Sequence, residues 1–98
     1  MDVRFTLNGT PFVWDERKAN SNLAKHGGVS FEQAAHVFFD PFLRIVDASR
    51  NDEARDAIIG FDALNRILFV VHIQIGGEEI RIISARKATQ EERKFYDS

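Results

Sequence analysis

The chain has 98 residues, a formal net charge of −2 and no cysteine. Its length fits one domain over residues 1–98, and the missing cysteines exclude disulfides and thiolate catalysis while remaining compatible with a cytoplasmic setting. The acidic balance excludes a uniformly basic nucleic-acid-binding surface, and no stretch reaches the ~20 apolar residues of a membrane span or resembles a signal peptide.

Taken in chain order, Arg4–Leu7 and Phe12–Trp14 are short β runs around Asn8-Gly9, a strong tight-turn signal, and read as a hairpin. Asp15 is placed to cap a helix over about Glu16–Lys25. Lys18, Asn22 and Lys25 then form one polar stripe at i, i+4 and i+7, with His26 beside it and Gly27-Gly28 ending the helix. Ser30 with Gln33 makes a capping box for a second helix, whose apolar stripe is Phe31, Ala34, Ala35 and Phe38. Asp40-Pro41 closes it.

Phe42–Val46, Asp56–Phe61, Arg66–Ile75 and Glu78–Ala85 read as strands, the last two joined at Gly76-Gly77. In the longest run, Ile67, Phe69, Val71, Ile73 and Ile75 form a wholly apolar face, expected to pack on helices, opposite a mixed face of Arg66, Leu68, Val70, His72 and Gln74. Thr89 with Glu92 is a second capping box, so a terminal helix starts near Gln90 and carries Arg93 and Tyr96 on one face. The pattern predicts an α+β fold: a hairpin, a helix pair, a three- or four-stranded antiparallel meander and a terminal helix.

No metal-ligand spacing, Walker pattern or nucleophile elbow is present, and His36 and His72 read as structural. His26, Glu53, Arg81, Arg86 and Tyr96 are the residue types that a metal-free ribonuclease uses: a base for the 2′-hydroxyl, cations for the crowded phosphate and an acid for the leaving oxygen. Spacing alone does not bring them together.

Trp14-Asp15, Lys18, Asn22, Lys25-His26-Gly27, Ser30-Phe31-Glu32, Asp40-Pro41, Glu53, Arg55, Gly60, Arg81-Ile82-Ile83-Ser84-Ala85-Arg86, Glu92-Arg93 and Tyr96 together resemble the BrnT family of toxins, over about Phe12–Tyr96. The family usually has one residue fewer between the His-Gly pair and Ser-Phe-Glu than Gly27-Gly28-Val29 supplies. The resemblance implies a RelE/ParE-like fold, a small antiparallel sheet with helices packed on one face. It also implies a type II toxin that acts as a metal-independent ribonuclease, restrains translation and needs no cofactor. Its partner would be a BrnA-like antitoxin, in a possible 2:2 complex that meets operator DNA only through the antitoxin. On that footing Arg81 and Arg86 hold the phosphate, and Glu53 or His26 is the base. Tyr96 orients or donates a proton, and Lys18, Lys25, Arg55 and Arg93 contact RNA. A non-catalytic binding module and a gyrase-directed inhibitor are the alternatives on the same fold.

Overall fold

The computed structural model describes residues 1–25 and 27–98. Nine elements follow in order: β1 Asp2–Leu7, β2 Thr10–Asp15, α1 Glu16–Lys25, α2 Phe31–Val37, β3 Arg44–Asp47, β4 Asp56–Phe61, β5 Ile67–Ile75, β6 Glu79–Lys87 and α3 Gln90–Asp97. Among the described residues no helix is long and apolar enough to cross a membrane.

Local chemistry sets most boundaries. Asn8 and Gly9 both take positive φ, the requirement of a type I′ turn, and close the β1–β2 hairpin. The Lys18 amide donates to Asp15 Oδ2 at the start of α1. Both capping boxes form: Ser30 and Gln33 exchange hydrogen bonds at α2, as do Thr89 and Glu92 at α3. The tip between β3 and β4 is a second tight turn, in which Asn51 and Asp52 take positive φ and the backbones of Arg50 and Glu53 exchange hydrogen bonds. Asn and Asp tolerate that conformation better than other residues with a Cβ.

The sheet is larger than expected and is mixed. Its six strands run β1-β2-β6-β5-β4-β3. The meander β3 to β6 is antiparallel, but the hairpin joins it through a parallel contact, Phe12 opposite Ile80 and Val13 opposite Arg81. The expectation of a small antiparallel sheet is corrected accordingly.

One face of the sheet carries the main core. Phe12, Trp14, Ile58, Leu68, Val70, Ile82 and Ala85 meet Val29 and the α2 residues Phe31, Ala34, Ala35 and Val37. Burying such side chains stabilises by roughly 1.5–3 kcal/mol each for the larger ones. The expected orientation of β5 is reversed: Leu68, Val70 and His72 are buried, and the wholly apolar Ile67, Phe69, Val71 and Ile73 are only half-buried. His72 is accommodated in the core because its ring packs edge-on against Phe38, with centroids 4.8 Å apart.

The second face is where α3 lies, so the helices do not share one side. Cross-strand partners point the same way, and the register aligns Arg44, Ile59, Phe69 and Arg86 in one row across four strands. Residues of α3 close over the ends of this row: Glu92 pairs with Arg86, and Phe95 lies under the Arg44 guanidinium, 5.4 Å from ring centre to Cζ. Ile59 is thereby fully buried on the face opposite the main core.

Candidate nucleic-acid interface

The site is organised around an irregularity in β6. Val71 pairs with Ser84 but His72 pairs with Ile82, so Ile83 is an extra residue, a β-bulge. Just here β6 loses its other neighbour, because β2 pairs only as far as Arg81. The backbone of Ala85, left without a strand partner on that side, is satisfied instead by a side chain from α1. Asn22 Oδ1 accepts from the Ala85 amide at 3.0 Å, and Asn22 Nδ2 donates to the Ala85 carbonyl at 2.8 Å and to the Val29 carbonyl at 3.1 Å. Asn22 is 5% exposed, so this is a buried polar group with its bonds made. It anchors α1 along the bulged segment and leaves the rest of its polar stripe at the mouth of a groove.

That groove, about 360 Å³, is lined by Arg17, Lys18, Ser21 and Lys25 of α1 with Ile83 and Ser84 of β6. A second groove, also about 360 Å³, lies on the α3 side of the sheet. The tip residues Ser49, Arg50 and Arg55 line it, with Phe69, Ser84 and Arg86. Ser84 lines both. Six cations from three separate parts of the chain therefore surround one serine in a protein whose net charge is −2.

Arg86 is the most constrained of them. Its guanidinium stacks 4.3 Å from the Phe69 ring centre and makes two bonds to the Glu92 carboxylate, 2.7 and 3.0 Å. The bond to Glu92 raises its pKa further, so it is charged at any working pH. Burial alone would raise the Glu92 pKa, but hydrogen bonds from Arg86 and from the Thr89 amide outweigh it and leave the carboxylate ionised. Arg55 is paired with Glu53 through Nε at 3.1 Å. Arg17, Lys18, Lys25 and Arg50 have no carboxylate partner among the described residues.

The remaining expected site residues lie elsewhere. Arg81 points to the same face as Arg86 but belongs to an ionic cluster with β1, bonded to Asp2 at 2.8 Å next to the Arg4–Glu79 pair. Tyr96 donates to Asp40 Oδ2 at 2.6 Å, and the same oxygen accepts the Phe61 amide at 2.8 Å. Partial burial and the adjacent carboxylate push the phenol pKa up to about 12. Burial would raise the Asp40 pKa, yet the bonds from Tyr96, Phe61 and Phe42 hold it below the ordinary carboxylate value. Arg93 lines a separate groove of about 260 Å³ with Arg66 and Lys87. His26 lies outside the described residues. Arg17, Arg50 and Ser84 join the site without a motif that marks them in the sequence; Arg17 adjoins the Lys18–Lys25 stripe, and Arg50 reaches the groove through the tight turn at Asn51-Asp52.

The family model for the ribonuclease toxin BrnT of type II toxin–antitoxin systems matches residues 14–92. The chain belongs to the BrnT family. A solved structure, the ribonuclease toxin BrnT of Brucella abortus, is similar with a TM-score of 0.60 and 29% sequence identity, over 79% of this chain and 94% of that one. Comparison with curated proteins returns no match. The matched segment contains α1, the β3–β4 tip, β6 and the Thr89–Glu92 box, and so the whole of the two-groove site. Among the described residues no three His, Asp or Glu side chains converge as a metal site.

Proposed function

We propose that this BrnT-family chain acts as one domain in the cytoplasm, as a metal-independent endoribonuclease that restrains translation on a variant of the RelE/ParE fold. The observation that carries the reading is the convergence of Arg86, Arg55, Lys18 and Lys25 on Ser84. Such cations neutralise a phosphate as charge develops on it, which is where positioning and electrostatics supply most of the catalysis. In the proposed step Glu53 or His26 takes the proton of the 2′-hydroxyl. That oxygen bonds to the adjacent phosphorus, and the bond to the 5′-oxygen breaks as that oxygen takes a proton from solvent water. Arg86 holds the phosphate, and Arg55, Lys18 and Lys25 support it. Tyr96 acts through Asp40 by fixing α3, and hence Glu92 against Arg86. Arg81 and Arg93 contribute to RNA contacts outside the two grooves.

The partner in this reading is a BrnA-like antitoxin, forming a 2:2 complex that binds operator DNA through the antitoxin. An acidic or amphipathic antitoxin segment covers the basic grooves or pairs with a free sheet edge.

One observation favours a second reading. Arg86, Arg55 and Arg81 each already hold a carboxylate, as suits a non-catalytic module that keeps the fold and the partner contact. Cleavage of a labelled RNA by purified, antitoxin-free protein in EDTA decides between them. Cleavage that falls by about 100-fold in a folded Arg86→Ala variant supports the ribonuclease. A folded original chain that cleaves nothing, with or without ribosomes, supports the module.

A further inference from the structure

The two grooves have more cations than one scissile phosphate requires. Arg17, Lys18 and Lys25 line one groove, Arg50, Arg55 and Arg86 line the other, and Ser84 lines both. Four of the six lack a carboxylate partner among the described residues, although the chain has 15 acids to 13 Lys and Arg. Like charges lining a concave surface repel one another, and a bound polyanion relieves that repulsion. The path also bends around the β6 edge, from the side of α1 to the side of the β3–β4 tip. A flexible single strand can follow such a bend with both walls in reach, whereas a stiff A-form duplex would rest on the rims alone.

We propose that the two grooves are one track for the backbone of a single RNA strand, and that Arg17 and Arg50 are its outer anchors. This deepens the ribonuclease reading by assigning a substrate form and a footprint longer than the cleaved bond. Arg17 and Arg50 bind phosphates on opposite sides of Ser84 and hold the strand in register across Arg86. They are positioning residues.

The test is fluorescence anisotropy with a labelled single-stranded RNA oligonucleotide and its matching duplex, on the full chain in EDTA, with every 2′-hydroxyl of the oligonucleotides blocked as a non-cleavable 2′-O-methyl ether that keeps the A-form duplex, titrated over a range of salt. The track predicts a steep salt dependence for the single strand. Its slope, in log affinity against log salt, falls by about 0.7 for each charge removed in Arg17→Gln and Arg50→Gln. Arg17→Lys and Arg50→Lys restore the slope, which a purely structural role would not produce. Lys94→Gln, an equal charge change outside the grooves, leaves it as it was. Unchanged slopes in both Gln variants, or equal binding of the duplex, overturn the track. A chain that binds this way but cleaves no all-ribose RNA keeps the track and loses the ribonuclease reading. A chain that cleaves with unchanged slopes does the reverse.

Discussion

Arg81 and Arg86 are five positions apart in one strand, yet both side chains point to the same side of the sheet. Odd spacing in a regular strand sends two residues to opposite faces. The bulge at Ile83 removes the difference, since Arg81 pairs with Ile73 and Arg86 with Phe69, two residues that share a face. Four steps of β5 still separate them, ~13 Å at strand rise, and separate carboxylates hold the two guanidiniums, Asp2 for Arg81 and Glu92 for Arg86. Arg86→Ala is expected to lower RNA cleavage by about 100-fold with the fold intact. Arg81→Ala should cut activity less than about tenfold, and the loss of the solvent-screened Asp2 pair should leave stability nearly unchanged. Parallel activity and thermal-melt measurements check both, and equal loss of cleavage in the two variants would contradict the separation.

Glu92 competes with RNA for Arg86. In Glu92→Gln the capping bonds at Thr89 can persist, because Gln serves the N3 position of a capping box. Removing the charge should tighten RNA binding by about fivefold, a gain of ~1 kcal/mol. The check is the dissociation constant at fixed salt, and weaker binding would show that Glu92 orients Arg86 rather than masks it.

Asp40 ties α2, β4 and α3 together through the Tyr96 hydroxyl and the Phe61 amide. Tyr96→Phe should cost about 2 kcal/mol, since it removes a hydrogen bond to a charged group. The native phenol pKa of about 12 lies above its ordinary value of 10.0. The folded state therefore holds that proton more tightly, and the contribution is complete below pH 10 and lost as pH rises through about 12. Thermal melts at pH 8 and above 10 compare the two proteins, whose difference should shrink at high pH.

Gly60 has no room for a side chain: a Cβ there would sit 2.9 Å from Asp40 Oδ2 and 3.1 Å from Val37 Cγ1. Gly60→Ala is expected to destabilise by about 1–3 kcal/mol through forced displacement of Asp40. Denaturant unfolding measures this directly.

His72 is buried with Nδ1 unpartnered, and burial holds its pKa below 6.5 despite Asp56 across the strand pair. A depressed native pKa means stability that is present above pH 6.5 and falls away as pH drops through the native value. The melting temperature should therefore decline as pH falls below 6.5. His72→Leu should flatten that decline, and an unchanged profile would assign it to other groups.

Local rules were legible where short-range chemistry decides the outcome. The Asn8-Gly9 turn, the Asp15 cap and the Ser30–Gln33 and Thr89–Glu92 boxes each involve neighbours within four residues, and all formed as expected. The faces of β5 were not legible, because both alternate sets are largely apolar and the choice depends on where α2 and α3 lie. His72 on the core side and Phe69 under Arg86 mislead any reading by hydrophobicity alone. The site was legible in part. The Lys18–Lys25 stripe and the arginines of β6 are legible, but no local pattern marks the bulge, the parallel β2–β6 contact or the place of exposed Arg50 beside the second groove. The stripe contains Asn22, but its role is not legible there, since its partners are 7 and 63 positions away.

The amide of Asn22 occupies the hydrogen-bonding position that a further strand would otherwise claim along β6. Strand addition, a recurring way for a peptide to fasten onto a sheet, is thus closed at the basic grooves and, among the described residues, remains open on the outer margins of β1 and β3. An inhibitor that blocks the grooves must hold on through its side chains or a helix. One that adds a strand must sit at a sheet margin and reach the arginines from a distance.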